Sequence, residues 1–250
     1  MLAELGALET SPRRLKCHPE SPRVFFSGPR DLQLYLPVDM PRLPRRMTTN
    51  PERHSHMLDL RVLLESQGWT LERESKTAFF YNFAPWIAPK AYLHIVFKGA
   101  DPSALEHLGE TLQIPQNWLD HLAIQNGAIL YSGALATYGV HTPGALLNRT
   151  DVFNRLPFSL VNENRSWPAK PTERYVVIGS YQHDGTRAVL DREDGSILAM
   201  PRKTNTAQAL WPSAESWLKG ELTRMASLFD AQGRIQVPEE RTLPSCTSSS

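Results

Sequence analysis

The most regular pattern of apolar and polar positions lies between residues 174 and 200. Apolar runs at 175–178, 187–191 and 196–200 are separated by Asp184-Gly185 and Asp194-Gly195. Glycine takes positive φ at no steric cost and aspartate tolerates it, so an Asp-Gly pair between apolar runs marks a hairpin. A three-stranded β-meander is therefore the firmest expectation. Upstream, 54–67 has helical spacing. Leu58, Val62 and Glu65 alternate with Leu60, Leu63 and Leu64, and Gly68 follows where an αL glycine cap is expected. Trp69 and Leu71 start an extended segment. Residues 78–83 read as a strand apolar on both faces. Residues 92–98 are a second strand, with Leu93, Ile95 and Phe97 on one face and Tyr92, His94 and Val96 on the other.

Asp101 suits a helix cap and Pro102 the first helical position, with Leu105, Leu108 and Leu112 as the buried stripe. A second helix starts at Ile114-Pro115, buries Trp118, Leu119 and Leu122, and ends at Asn126-Gly127. Short apolar pieces follow at 129–131 and 135–138, interrupted by Gly133 and Gly139. Residues 141–172 read as loop, with Pro143, Pro157, Pro168 and Pro171, and Trp167 is expected to pack on the sheet. Past the meander, Pro212 or Ser213 begins a long helix. Its apolar face is Trp217, Leu218, Leu222, Met225, Leu228 and Phe229, and Gly233 ends it.

The ends differ from this middle. Residues 1–53 carry eight prolines with scattered arginines, and no apolar period survives that density. Two readings stand: a disordered extension, or a misplaced start codon, with Met40, Met47 and Met57 as internal methionines. Residues 237–250 are polar, end in three serines and are expected to form a disordered tail. The folded domain is thus expected over 54–236.

Composition narrows the function without naming it. Formal net charge is +1, split into +3 over residues 1–56 and −2 over the remainder, so the expected domain lacks the basic stripe of a nucleic-acid binder. Cys17 and Cys246, both in the expected tails, form no paired framework, which fits a reducing compartment. Neither a signal peptide nor a transmembrane run is visible. Asn148-Arg149-Thr150 and Asn164-Arg165-Ser166 match the glycosylation sequon, a pattern short enough to recur by chance.

Candidate chemistry is sparse. His94 on its strand reads as a packing residue. His107 and His121 sit beside Glu106 and Asp120, but adjacent helical residues point about 100° apart and share no face. Asp191, Glu193, Asp194 and Gly195 only faintly follow a calcium loop, and a hairpin turn explains them better. No phosphate loop, nucleophile elbow, zinc motif or redox motif is present. No catalytic, cofactor-binding or metal-binding residue is assigned, and no partner-binding residue is located.

The order of motifs from Asp101 onward nevertheless resembles the SUKH superfamily, which contains bacterial immunity proteins and fungal cell-wall synthesis regulators. The resemblance rests on Ile114, Pro115, Trp118, Leu122, Asn126 and Gly127, then Trp167. It continues with Ile178, Gly179, Asp184, Gly185, Asp191 and Gly195, and closes on the Trp-Leu helix beginning near Trp211-Pro212. It covers roughly 101–233. Ile114 stands where leucine is commoner, and Ala128 where a second glycine is frequent. The resemblance implies an α+β fold, an antiparallel sheet with helices packed around it. It also implies a cytoplasmic, non-catalytic, monomeric binding protein needing no cofactor. Its implied partner is a protein, a polymorphic toxin domain of nuclease or deaminase class, with neither nucleic acid nor membrane as partner. A regulatory scaffold on the same fold is the alternative, and a small enzyme with an unfamiliar site is a third.

Overall fold

A computed structural model of the chain describes residues 58–141, 153–167, 173–204 and 206–244. Among them, nine strands form a single antiparallel sheet in which each strand pairs with its neighbours in sequence. They are β1 (Leu71–Glu74), β2 (Ala78–Phe83), β3 (Tyr92–Lys98), β4 (Gln125–Leu130), β5 (Leu135–Thr137), β6 (Tyr175–Tyr181), β7 (Arg187–Asp191), β8 (Ile197–Met200) and β9 (Ala209–Trp211). Helix α1 (Leu60–Ser66) precedes the sheet and α5 (Ala214–Ala226) follows it. Helices α2 (Pro102–Leu112) and α3 (Gln116–Ile124) lie between β3 and β4, and α4 (Leu160–Arg165) lies between β5 and β6. The fold is α+β, and the meander expected at 174–200 forms β6–β8 of a much longer one.

All five helices feed one apolar core with the sheet. Leu60 and Leu64 of α1, Leu108 of α2, Trp118 and Leu122 of α3, Leu160 of α4, and Trp217, Leu218, Leu222 and Met225 of α5 are all buried in it. Each large side chain so buried contributes about 1.5–3 kcal/mol relative to exposure. A smaller cluster of Ala78, Phe80, Ile95 and Phe97 forms separately, with Phe153 set edge-on to Phe80 at 5.7 Å. His94 and Val96 thus face the main core while Ile95 and Phe97 face away, as alternation requires. The expected faces fail at the strand's start: Leu93 joins the main core and Tyr92 the smaller cluster. Opposite them, Asn82 sits at φ 46, and Phe83 beyond it packs on Tyr92 with ring centroids 5.6 Å apart.

The two meander turns occupy 182–186 and 192–196. Gly185 and Gly195 take φ of 74° and 77°. Asp184 Oδ1 accepts the Thr186 amide, and Asp194 Oδ1 the Ser196 amide, each at 2.8 Å. The aspartates are turn builders, each satisfying the backbone two residues on.

Several boundaries differ from expectation. Asn126-Gly127 does not end a helix: α3 stops at Ile124 and both residues belong to β4. The Asn126 side chain bonds both backbone groups of Val140, donating to its carbonyl and accepting its amide, each at 2.7 Å. Gly127 has φ 86, and a Cβ there lies 2.7 Å from the Thr137 carbonyl. The expected loop at 141–172 contains α4, capped by Ser159, whose Asn164 clamps the amide and carbonyl of Val177 at 2.9 and 2.8 Å. That bond pair takes over where β5 ends, since Thr137↔Gly179 is the last registered pair of β5 and β6.

Helix α5 starts as expected, with Ser213 and Ser216 forming a capping box, but it ends at Ala226. Gly233 lies instead in a hairpin-like turn, at φ 79, where Phe229 pairs with Ile235 and Asp230 Oδ1 accepts the amides of Gln232 and Arg234. The tail expected from 237 is folded as far as 244. A 3-10 turn at Glu239–Thr242 is held to α5 by Arg224, which donates to the carbonyls of Arg241 and Thr242 at 2.8 and 2.7 Å. The described residues form one compact unit. The expected extension 1–53, the first residues of the helix expected from 54, and 245–250 lie outside them.

Candidate functional site

In a meander, loops that follow even-numbered strands share one end of the sheet. At that end the β2–β3, β4–β5 and β6–β7 connections, the turn after α5 and the segment 239–242 enclose a cleft of about 700 Å³.

The β2–β3 connection is built from two successive turns. Ile87 N–H bonds the Ala84 carbonyl and Ala91 N–H bonds the Ala88 carbonyl, both at 3.0 Å. Pro85 and Pro89 each occupy the second position of their turn, where a fixed φ is preorganised. The first turn pushes Trp86 and Ile87 to the surface, 40% and 48% exposed. The guanidinium of Arg234, from the turn after α5, lies 5.4 Å from the Trp86 ring centroid.

The cleft floor is the β4–β5 connection. Tyr131 and Ser132 both adopt left-handed backbone, φ 51° and 59°, which costs about 1–2 kcal/mol for each non-glycine residue. Tyr131 is held there from three sides. Its amide donates to His94 Nδ1 at 3.3 Å, its hydroxyl to the Leu222 carbonyl at 3.0 Å, and its ring packs 4.8 Å from Phe229. Burial lowers the pKa of His94 to about 3, so its ring is neutral and Nδ1 is available as acceptor. Burial likewise raises the Tyr131 phenol, which stays protonated as a donor. Gly133 follows at φ 99, and Gln182 lies where a side chain would extend. At the mouth, His183 Nδ1 and Glu239 Oε2 are 3.8 Å apart. Among the described residues no hydrogen bond joins the Ser132 hydroxyl to His183.

The residues singled out from sequence lie elsewhere. His94 supports the cleft floor from within the core. His107 and Glu106 are exposed on α2, away from His121 and Asp120 in their packing. His121 is buried, stacked on Trp118 at 4.6 Å, and burial lowers its pKa to about 4. Asp120 accepts from Gln116 at 2.8 Å on the surface. Gln125 joins the His121 region to α1, accepting the Leu60 amide at 2.9 Å while its amide group meets a His121 ring nitrogen at 3.0 Å.

Arg174 sits among the carboxylates of the calcium-like string. Its Nε bonds both oxygens of buried Asp191 at 2.7 and 2.6 Å, and its other nitrogens lie 2.6 Å from Glu193 and 3.8 Å from Asp194. The cation among these carboxylates is therefore Arg174, from just before β6. Among the described residues no group of three or more His, Cys, Asp or Glu forms a metal-binding set, and no helix is long and apolar enough to cross a membrane. Trp167 packs on the sheet as expected, buried beneath the Arg187 guanidinium at 5.2 Å. In the Asn164 sequon, the amide nitrogen donates to Leu160 and Val177 and is not free for modification in the fold. Asn148, Cys17 and Cys246 lie outside the described residues.

Trp86, Ile87 and Arg234 were not singled out from sequence. The available signal was the repeat Ala84-Pro85 and Ala88-Pro89, four residues apart between two strands. The chain matches no protein-family model, and no curated protein matches it significantly.

Proposed function

We propose that this chain is a non-catalytic binding protein of the SUKH immunity type, which neutralises a polymorphic toxin of nuclease or deaminase class by covering its active site. The observation that carries the reading is the rim of the loop-end cleft, where a proline-braced loop holds Trp86 and Ile87 exposed beside Arg234. Tryptophan and arginine are enriched at binding hot spots, tryptophan as a large rigid contact and arginine through its planar fork of donors. The antiparallel meander, and the glycines at 127 and 179 placed where a Cβ meets backbone, agree with the motif order on which the resemblance rests. On this reading the protein acts in the cytoplasm as a monomer, without cofactor.

The test is co-expression with the toxin encoded beside it, scored by cell survival and pull-down. Rescue with a stable complex supports the proposal. Absence of a neighbouring toxin gene, together with no binding to any polymorphic toxin domain, abandons it. The proline- and arginine-rich stretch, if it is translated, favours the second reading, a regulatory scaffold on the same fold. Capture of a cell-wall or signalling protein in place of a toxin points to that.

A further inference from the structure

We infer that the loop-end cleft receives a segment of a partner protein that presents a large apolar side chain next to a carboxylate. The apolar group enters between Ile87, Phe229 and the Trp86 ring, and the carboxylate meets Arg234. This rests on the binding reading above and adds the chemistry of what is bound.

The acidic half of the inference comes from the state of the arginine at the cleft mouth, set against two that are neutralised. Arg224 is paired with Glu221, and Arg174 with Asp191 and Glu193. Arg234 has no carboxylate within ion-pair distance among the described residues; its guanidinium rests on Trp86 alone. The nearest acid in sequence, Asp230, is already engaged. Its Oδ1 accepts the amides of Gln232 and Arg234, and its Oδ2 accepts from Gln236 Nε2. Contact with the ring keeps the guanidinium at the rim, where its N–H donors can meet an incoming carboxylate, which arginine binds bidentately. Glu239 is 77% exposed and directed at His183, so the cleft carries one cation and one anion at separate places. Such a balance suits a single carboxylate, whereas a phosphate polymer needs several cations along its path.

The apolar half follows from the lining. Ile87 and Trp86 are exposed, and Phe229 is half-buried against Tyr131. The strained turn at Tyr131-Ser132 forms the floor. Backbone strain persists where the surroundings over-determine it, and such places cluster at ligand sites.

The experiment is selection of random peptides displayed on phage against the immobilised full chain, followed by titration of the enriched peptide by fluorescence anisotropy. Enriched peptides are expected to carry an aromatic residue or leucine beside Asp or Glu. Affinity for that peptide falls roughly tenfold or more with Trp86→Ala or Arg234→Ala. Arg234→Glu reverses the preference toward peptides with Lys or Arg. Lys90→Ala, in the β2–β3 connection but outside the cleft lining, leaves binding unchanged. Unaltered circular dichroism spectra establish that the variants are folded. Enrichment of basic peptides, no enrichment, or binding indifferent to Arg234→Glu overturns the inference. A captured toxin whose binding ignores Arg234 sinks this assignment and leaves the immunity reading standing. Acidic-aromatic peptides bound through Arg234, with no toxin found, do the opposite.

Discussion

The indole N–H of Trp217 donates to the hydroxyl of Tyr181 at 2.9 Å, with both side chains fully buried. This bond seats α5 on β6. Gly179, two residues before Tyr181, lies under the same indole, where a Cβ comes 3.2 Å from its ring and 2.5 Å from the Ala136 carbonyl. Burial, and then the Glu221 carboxylate, push the Tyr181 phenol far above its ordinary range, so it remains a neutral hydroxyl. Tyr181→Phe leaves the indole N–H without its acceptor and is expected to cost about 1–3 kcal/mol. Urea unfolding should show a lower midpoint with an unchanged slope. Gly179→Ala is expected to cost more, because the obstacle is backbone and cannot swing aside.

Asn126→Ala removes two bonds to Val140 and orphans buried backbone, with an expected loss of about 1–3 kcal/mol. Gly127→Ala should be worse than Asn126→Ala, since it combines left-handed strain with a clash against Thr137. Thermal unfolding of the two variants checks the ranking. Equal or reversed stabilities would contradict the assigned strand geometry.

Asn164 pins α4 to β6 through both backbone groups of Val177. Asn164→Gln lengthens the side chain and breaks that fit. It is expected to destabilise the fold and raise hydrogen exchange at the Val177 amide. Exchange unchanged at that amide removes the clamp from the account.

His94 and His121 give the fold a pH dependence of definite sign. Their folded pKa values, about 3 and about 4, lie below the ordinary 6.5. The stabilisation is fully present above about pH 6.5. As pH falls from there toward 4, the unfolded chain gains protons that the fold refuses, so stability drops by up to about 1.4 kcal/mol per pH unit for each histidine. Urea midpoints at pH 7.5, 6 and 5 measure this, the pH values spanning about that window. His94→Asn, whose Oδ1 can still accept the Tyr131 amide, should flatten the slope by about half.

Arg174 and Asp191 should couple in a double-mutant cycle. Arg174→Gln leaves Asp191 buried without its cation, while the pair Arg174→Gln with Asp191→Asn removes both charges together. The double variant is expected to be more stable than the sum of the single losses implies. Additive losses would show that the guanidinium does not neutralise this turn.

Local signals were read correctly where the physics is local. Asp101-Pro102 starts α2, Ser213 starts α5, and the two Asp-Gly pairs turn the chain between β6, β7 and β8, because capping and positive φ depend on a few adjacent residues. The same locality misled at Asn126-Gly127 and Gly233. A glycine reads as a helix end whether it caps a helix or makes room for a strand or a neighbouring side chain, and only the presence of Thr137 and Leu93 distinguishes these roles. Helix α4 is six residues long, and its retention depends on Asn164 meeting Val177, a contact invisible to a helical period.

The α+β class was implied by the resemblance; the amino-acid sequence by itself determined most of the strands and helices, and the reading of the Asp-Gly aspartates as turn residues. Those follow from backbone preferences and apolar spacing. Tertiary structure alone decided that Arg174 lies among Asp191, Glu193 and Asp194, that His94 supports Tyr131, and that Arg234 rests on Trp86 at the mouth of a cleft. Arg234 and Trp86 are 148 residues apart in the chain, and no periodicity relates them. They meet because the meander returns its even-numbered loops to one end of the sheet and α5 brings its following turn back to the same place.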